Sequence, residues 1–256
     1  MKGKLTFLGT GTSQGVPMPV CSCHVCESPD KKDKRLRSSV LIQINEFTYC
    51  IDSGPDFRYQ MLREGVKHLN AILYTHEHRD HIAGLDDVRA FNYINDQKMP
   101  LYAPNEVVAA LHQSYSYIFK GNYPGIPKVT VHEIDENPFI IDGFTFTPIP
   151  VWHHSMRVFG YRIGDLAYIT DAKTIPESSR KLLRGIPTLI INCLHESHHI
   201  SHFNLEEALA FIDDIKPQQT YLTHISHLFG THDEISAKLP KGVNPAFDGL
   251  RVEFNS

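Results

Sequence analysis

The stretch Thr75-His76-Glu77-His78-Arg79-Asp80-His81 places four side chains that can bind metal ions within six residues, directly after a short apolar segment. A turn from a strand into a helix can direct His76 and His78 to one side and Asp80 and His81 to another. Two metal ions need many donors held at short range, and histidine and carboxylate side chains are common metal ligands. A solvated polar turn does not explain this density of donors, so the stretch predicts a metal centre.

Two further ligand-type residues follow predicted strands in the same way. Asp171 comes after the segment 167–170, and His224 comes after the segment 220–223. A threonine closes each of these segments, as it does before His76. Loops at strand ends are where a rigid scaffold displays chemical groups. We therefore expect three distant segments of the chain to assemble one site.

The apolar pattern predicts a mixed chain of the α/β (α+β) class. Helical spacing follows Asn204, which can form a capping box with Glu207 in a helix that Pro217 closes. Two more helices are predicted after Pro104 and after His81. Strands arranged first in hairpins and then among helices predict sheets covered by helices. The predicted strands are Leu5–Leu8, Ser39–Ile44, Phe47–Asp52, Ala71–Thr75, Phe144–Pro148, Phe159–Ile163, Ala167–Thr170, Leu189–Asn192 and Thr220–Thr223.

Length and composition indicate one globular domain over residues 1–256. Hydrophobic residues make up 41% and charged residues 21%, which excludes a disordered or fibrous chain. The net charge is −4, which disfavours a nucleic-acid partner. No apolar run approaches the roughly 20 residues of a membrane span. The basic start Met1–Lys4 lacks the apolar core of a signal peptide, so we expect a cytoplasmic protein without membrane attachment.

Cysteine and histidine usage points to a second metal site. Three of the five cysteines, Cys21, Cys23 and Cys26, are clustered. In a reducing compartment such a cluster indicates a metal site rather than a disulfide, the alternative being buried free thiols. A structural zinc ion requires a fourth ligand, and His227, three residues beyond His224, is the natural candidate.

The motif His-x-His-x-Asp-His after an apolar strand resembles the metallo-β-lactamase superfamily. Later motifs of that superfamily follow in order: Trp152-His-His-Ser155, Tyr168-Ile-Thr-Asp171 and Leu222-Thr-His224. The resemblance implies a four-layer αββα sandwich with two divalent metal ions, zinc or manganese, at the sheet edges.

The same resemblance implies a ligand for each position of a dinuclear centre. His153 competes with His154 for one position, and we prefer His154 because it precedes Ser155 in the motif. The implied ligands are His76, His78 and His154 for one metal ion, Asp80, His81 and His224 for the other, and Asp171 as the bridge.

A narrower resemblance concerns the clustered cysteines, His227 and Phe247-Asp-Gly249. Together they look like the phosphoribosyl cyclic phosphate phosphodiesterases of bacterial phosphonate breakdown. This resemblance implies hydrolysis of a small phosphodiester, such as a cyclic sugar or nucleotide phosphate, by a hydroxide that two metal ions share. It implies catalytic roles for Asp80 and for His202, the latter as general acid, and one structural zinc ion. A homodimer fits the resemblance.

Several alternatives stay open at the level of sequence. One is an RNA-processing phosphodiesterase of the same superfamily, although no Gly-rich insertion suggests an arm for tRNA. Lactone or thioester hydrolysis is disfavoured by the cysteine cluster and by His202, which could also be a plain surface histidine. A metal-dependent binding protein without turnover is a further class. His195, His198 and His199 form an unassigned polar cluster, and Gly9-Thr10-Gly11-Thr12 lacks the lysine of a phosphate loop, so a tight turn is expected there.

Overall fold

The computed structural model describes residues 1–256, and its fourteen strands form two sheets of seven strands each. In chain order the strands are β1 (Lys2–Gly9), β2 (Ser39–Ile44), β3 (Phe47–Ile51), β4 (Ala71–Leu73), β5 (Met99–Ala103), β6 (Val129–Glu133), β7 (Phe139–Ile141), β8 (Phe144–His153), β9 (Met156–Ile163), β10 (Leu166–Ile169), β11 (Thr188–Asn192), β12 (Gln219–Thr223), β13 (Val243–Pro245) and β14 (Arg251–Asn255). The first sheet has the order β14-β1-β2-β3-β4-β5-β6, and the second has the order β13-β12-β11-β10-β9-β8-β7.

Nine α-helices connect these strands, with short 3-10 turns at Lys31–Asp33 and Leu85–Val88. None of the helices is long and apolar enough to cross a membrane. The helices are α1 (His24–Glu27), α2 (Phe57–Arg63), α3 (Arg79–Ile82), α4 (Arg89–Asn95), α5 (Asn105–Ser114), α6 (Ser116–Lys120), α7 (Glu177–Leu183), α8 (Leu205–Ile215) and α9 (His232–Lys238).

Both sheets are antiparallel on one side and parallel on the other. In the first sheet β3, β4, β5 and β6 run parallel, and in the second sheet β10, β11, β12 and β13 do. The carboxyl ends of parallel neighbours lie at the same edge of a sheet, which is where ligands bind in open α/β sheets. Asp52 and His76 follow β3 and β4, whereas Asp171 and His224 follow β10 and β12. The topology thus collects polar residues at one edge of each sheet.

Three apolar layers separate four layers of secondary structure. Between the sheets, the ring of Tyr49 packs edge-on against Phe146 with 5.2 Å between centroids. A second cluster, including Phe57 and Leu111, lies between the first sheet and its helices. A third cluster, including Phe211 of α8, lies under the helices of the second sheet. The αββα sandwich predicted from the motif is therefore confirmed.

All nine predicted strands overlap observed ones, and Ser39–Ile44 agrees at both ends. Five strands, β5–β7, β13 and β14, were not predicted. All five lie at or next to an edge of their sheet, and β7 and β13 have only three residues each. The capping box at Asn204 and Glu207 is confirmed at the start of α8.

The prediction of one continuous helix after His81 is wrong. The segment is divided into α3, the 3-10 turn Leu85–Val88 and α4. Gly84 ends the first piece, because its backbone N–H donates to Ser53 O at 2.8 Å. A Cβ atom at position 84 would meet the carbonyl oxygen of Gly54. This close approach of two backbone segments requires glycine and fixes the turn that carries the metal-binding motif.

Candidate metal centre

Three polar residues at the strand ends adopt left-handed backbone conformations. The φ angles are 65° at Asp52, 52° at Asp171 and 57° at His224. Such angles cost a non-glycine residue roughly 1–2 kcal/mol and cluster at functional sites, where the surrounding structure enforces them. At these positions the chain turns sharply out of β3, β10 and β12, which brings the side chains into the space between the two sheet edges.

One set of donors consists of His76, His78 and Asp171, whose ligand atoms lie within 4.8 Å of one another. His76 Nε2 is 3.1 Å from His78 Nδ1 and 3.8 Å from Asp171 Oδ2. His153 lies beside this set, with its ring 5.1 Å from that of His78. His153 and Asp171 also form a group with His202. Nitrogen atoms that converge in this way suit a single metal ion.

A second set consists of Asp80, His81, Asp171 and His224, again within 4.8 Å of one another. His81 Nε2 is 3.1 Å from Asp80 Oδ2 and 3.5 Å from Asp171 Oδ1. His224 Nδ1 is 3.2 Å from the same Asp171 oxygen. Asp171 belongs to both sets, as the resemblance implied for a bridging residue.

The choice of His154 is corrected by the structure, which places His153 in the cluster instead. His153 is 8% exposed at the end of β8, and His154 is exposed in the following turn, where its Nδ1 contacts Ser155. Strand alternation explains the difference, because Val151 and His153 share the buried face of β8. The motif order, in which His154 precedes Ser155, had favoured the wrong one of these two histidines.

Outer hydrogen bonds orient the ring nitrogens of the first histidines. Asp52 accepts from Thr75 Oγ1 at 2.8 Å and from His81 Nδ1 at 2.7 Å. Since the Thr75 hydroxyl gives its only proton to Asp52, it accepts from His76 Nδ1 at 3.0 Å. Both histidines therefore carry a proton on Nδ1, and in the neutral form of each ring the lone pair of Nε2 is directed into the cluster. Metal-binding histidines are held in this way.

The same arrangement holds His153. Its Nδ1 donates to the carbonyl oxygen of Ser201 at 2.8 Å, which leaves Nε2 as the nitrogen able to bind a metal ion. His81 Nε2 is buried and has no hydrogen-bond partner in the protein. A buried polar atom without a partner is costly, and a cation between His81 and its neighbouring carboxylates would remove that cost. The donor set thus fits a pair of divalent ions.

Each charge in the cluster affects the ionisation of its neighbours. Burial opposes the charge of Asp171, but the imidazoles, above all that of His224, hold its pKa well below the usual range. Burial also opposes protonation of His81, yet Asp80 and Asp52 raise its pKa well above the ordinary value. The buried carboxylates favour positive charge on the neighbouring imidazoles. The same negative charge would favour the binding of metal cations.

His202, the candidate general acid, lies beside the cluster and is 8% exposed. Its ring is 4.5 Å from that of His153 and 4.8 Å from that of His224. Burial, together with the neighbouring imidazoles, lowers the pKa of His202 to about 2. Its Nδ1 is buried without a partner, which leaves Nε2 as the nitrogen that can reach a substrate. His199 borders His202 with 5.1 Å between rings, and His195 lies beyond it.

The predicted cysteine site is also brought together. The donor atoms of Cys21, Cys23, Cys26 and His227 lie within 4.8 Å of one another. His227 Nδ1 is 3.3 Å from Cys23 Sγ and 3.5 Å from Cys21 Sγ. The hydrogen bond to His227 lowers the pKa of Cys23 to about 6, which favours the thiolate form that binds metals. Three thiolates and one imidazole form a closed donor set of the kind that holds structural zinc.

We predict that Cys23→Ser reduces stability more than chemistry. A serine hydroxyl does not replace a thiolate as a zinc ligand, so the variant should bind one zinc ion fewer per chain. Its Tm should fall by about 5–10 °C, the equivalent of roughly 2–3 kcal/mol for a chain of this size. Metal analysis and calorimetry measure both quantities. Unchanged melting with all zinc retained would refute a structural role.

Sequence reasoning missed the residues that hold the histidines. Asp52 carried a detectable signal, because it is a carboxylate at the last position of the predicted strand Phe47–Asp52. Thr75 was noted only as a strand terminus. Ser201 acts through its carbonyl oxygen, for which no side-chain pattern exists.

Asp52→Asn should weaken metal binding at His81. Asparagine keeps the shape of the carboxylate but has no charged oxygen. It therefore cannot offer one charged acceptor to both Thr75 Oγ1 and His81 Nδ1. Loss of such an outer partner costs about 10–100-fold in metal affinity or activity. Competition with a chelator measures the affinity, and Asp135→Asn, at an exposed carboxylate outside the cluster, is the control. Equal affinities in the two variants would contradict this role for Asp52.

Comparison with known protein families agrees with the observed fold. Residues 48–225 match the sequence model of a protein family, the beta-lactamase superfamily domain. A crystal structure of a new diphosphatase from the PhnP family superposes with a TM-score of 0.93 and 42% sequence identity. That match covers 99% of this chain and 98% of the other.

Two curated relatives carry different names. An octanoyltransferase of Porphyromonas gingivalis (strain ATCC BAA-308 / W83) is 37% identical over 250 residues, which are 96% of this chain and 50% of that protein. A ribonuclease Z of Nostoc sp. (strain PCC 7120 / SAG 25.82 / UTEX 2576) is 30% identical over 177 residues, which are 63% of this chain and 46% of that protein. The chain spans about half the length of these curated relatives. From its fold and these matches, the chain belongs to the metallo-β-lactamase superfamily, and it is similar to a member of the PhnP family.

Proposed function

We propose that this protein is a dinuclear-metal phosphodiesterase that hydrolyses a small phosphodiester, such as a cyclic sugar or nucleotide phosphate. The observation that carries the proposal is the convergence of two donor sets on the shared Asp171. His76, His78 and His153 would hold one divalent ion, and Asp80, His81 and His224 would hold the other. The cysteine site would hold one structural zinc ion.

Imidazole and carboxylate donors suit zinc or manganese. When bound, a pair of such ions lowers the pKa of water toward about 7 and neutralises charge on phosphoryl oxygens. The outer residues Asp52, Thr75 and Ser201 keep the histidine nitrogens aligned before substrate arrives, so little reorganisation is needed during the reaction.

His202 would protonate the leaving oxygen. A buried imidazole with a lowered pKa is neutral in the free site. An incoming phosphodiester brings negative charge within reach of Nε2, which favours the protonated ring. The proton then passes from Nε2 to the oxygen that departs from phosphorus. In a cyclic diester that oxygen stays attached to the product, which becomes a phosphomonoester.

The names of the relatives suggest two other substrates. The diphosphatase of the PhnP family favours a phosphoric anhydride as the second candidate. The ribonuclease Z relative favours an RNA phosphodiester, against which the net charge of −4 argues. The octanoyltransferase suggests no substrate for this chain, because the match covers only half of that protein.

The test is hydrolysis by protein purified with zinc or manganese. We expect turnover of bis(4-nitrophenyl) phosphate and of a ribose cyclic phosphate, and its loss in His78→Ala. Turnover of an organic diphosphate alone, or of precursor tRNA but not of small diesters, would replace the proposed substrate by the corresponding alternative. Metal binding without turnover of any of these substrates would indicate a metal-dependent binding protein instead of an enzyme.

We also propose that residues 1–256 form one domain, that the protein is cytoplasmic and that it forms a homodimer. Light scattering tests the homodimer, and a mass of about one chain would contradict it.

A further inference from the structure

A tight turn, Thr12 to Gly15, lies beside His224. Gly15 N donates to Thr12 O at 2.8 Å, and Gly15 has a φ of 68°, which glycine adopts at little cost. Thr12 Oγ1 is 3.3 Å from His224 Nε2. The turn follows the Gly9–Thr12 motif, and its position places it at the border of the candidate metal centre.

Contacts on several sides fix the turn. Thr12 N donates to Ile225 O at 3.1 Å, which ties the turn to the residue after His224. Arg37 Nε donates to Ser13 O at 3.2 Å, and the Arg37 guanidinium is itself paired with Asp56 at 3.1 Å. A turn anchored in this way presents its remaining donors in a fixed direction.

Two backbone N–H groups of the turn, those of Ser13 and Gln14, have no acceptor in the protein. Their directions follow from the planar trans peptide, in which N–H and C=O point to opposite sides. The Thr12 carbonyl faces Gly15, so the N–H of Ser13 points out of the turn. The Ser13 carbonyl faces Arg37, so the N–H of Gln14 points away from Arg37. Ser13 and Gln14 are both exposed.

The hydroxyl of Thr12 lies against the ring of His224. His224 Nδ1 is the nitrogen next to Asp171, 3.2 Å from Oδ1, so it is the nitrogen that can bind a metal ion there. Nε2 then carries the proton and donates to Thr12 Oγ1 at 3.3 Å. Because the Thr12 hydroxyl accepts from His224, its own proton is free for another acceptor.

We propose that the Thr12 hydroxyl and the N–H groups of Ser13 and Gln14 bind the non-bridging oxygens of a substrate phosphoryl group. Phosphoryl oxygens accept strongly from such donors, as they do in anion-binding turns. The turn adds no positive charge, so it would orient the phosphoryl group rather than attract it from a distance. This inference rests on the proposed function for its substrate and extends it to residues outside the ligand sets.

Paired variants test the two kinds of donor, with bis(4-nitrophenyl) phosphate as the probe. Thr12→Val removes the hydroxyl at nearly constant volume, and we expect kcat/KM to fall about 10–100-fold. Thr12→Ser keeps the hydroxyl and should recover most of that loss. Ser13→Pro removes one N–H at a turn position that accepts proline, and it should lower kcat/KM about tenfold with unchanged metal content. Activities of Thr12→Val and Ser13→Pro equal to that of the wild type would overturn the proposal.

A binding measurement separates this inference from the proposed function. With inorganic phosphate as the probe, the amide resonances of Ser13 and Gln14 in the zinc-loaded protein should shift on titration, and Thr12→Val should raise the Kd of phosphate. If the wild type hydrolyses no diester, the proposed function fails, while shifts at these amides would still support the turn as a phosphate site. Amides that do not respond to phosphate would contradict it, whatever the activity.

Discussion

Asp171→Asn is expected to remove both active-site metal ions and to lower kcat/KM for a phosphodiester by about 1,000-fold or more. Asp171 is 2% exposed and belongs to both donor sets. Asparagine keeps the shape but lacks the charge and the second anionic oxygen that a bridging ligand needs. A loss of about 4 kcal/mol of transition-state stabilisation corresponds to this factor, and a metal pair supplies several kcal/mol.

Metal content and activity measured on the same preparation check this expectation. The variant should retain the single zinc ion of the cysteine site and a folded circular dichroism spectrum, which excludes unfolding as the cause. A variant that keeps two further metal ions and wild-type turnover would show that Asp171 does not bridge them.

The second large effect is expected for substitution of His153, and its neighbour His154 provides the control. His153→Asn should lower kcat/KM about 100–1,000-fold, because it removes a nitrogen that Ser201 aims at the candidate metal centre. His154→Asn is the matched control and should leave activity within about twofold. The side chain of His154 is exposed, and asparagine tolerates its left-handed φ of 56°.

The two variants differ only in the position of the same replacement along the chain. Steady-state kinetics and metal analysis under identical conditions are therefore directly comparable. A larger loss in His154→Asn than in His153→Asn would restore the ligand set expected from the motif order and contradict the structure.

The sequence sufficed for most of the fold. Apolar segments closed by threonine identified the strands that carry the site, because a buried strand of a covered sheet is a continuous apolar run. The short edge strands β13 and β14 escaped detection, since pairing with one neighbour requires little apolar character. Gly84 divided a predicted helix through a contact with Gly54, and such a contact between distant backbone segments leaves no periodic signal.

Most side chains of the candidate metal centre could be predicted from the sequence, but the residues that hold them could not. His76, His78, Asp80 and His81 are recognisable because they are close together in one short motif. The choice between His153 and His154 depended on the alternation of β8, which its two prolines, Pro148 and Pro150, obscured. Other contacts join segments far apart in the chain and appear only after folding. They are those of Asp52 with His81, Ser201 with His153 and Thr12 with His224.

Anomalous diffraction from crystals of the zinc-loaded protein tests the central claim most directly. The account predicts three peaks per chain. Two should lie about 3.5–4 Å apart on either side of Asp171, one near His153 and the other near His224, and the third should lie among the cysteines and His227. A peak at the cysteines alone, with His81 and Asp171 side chains free of any ion at saturating zinc, would contradict the dinuclear centre.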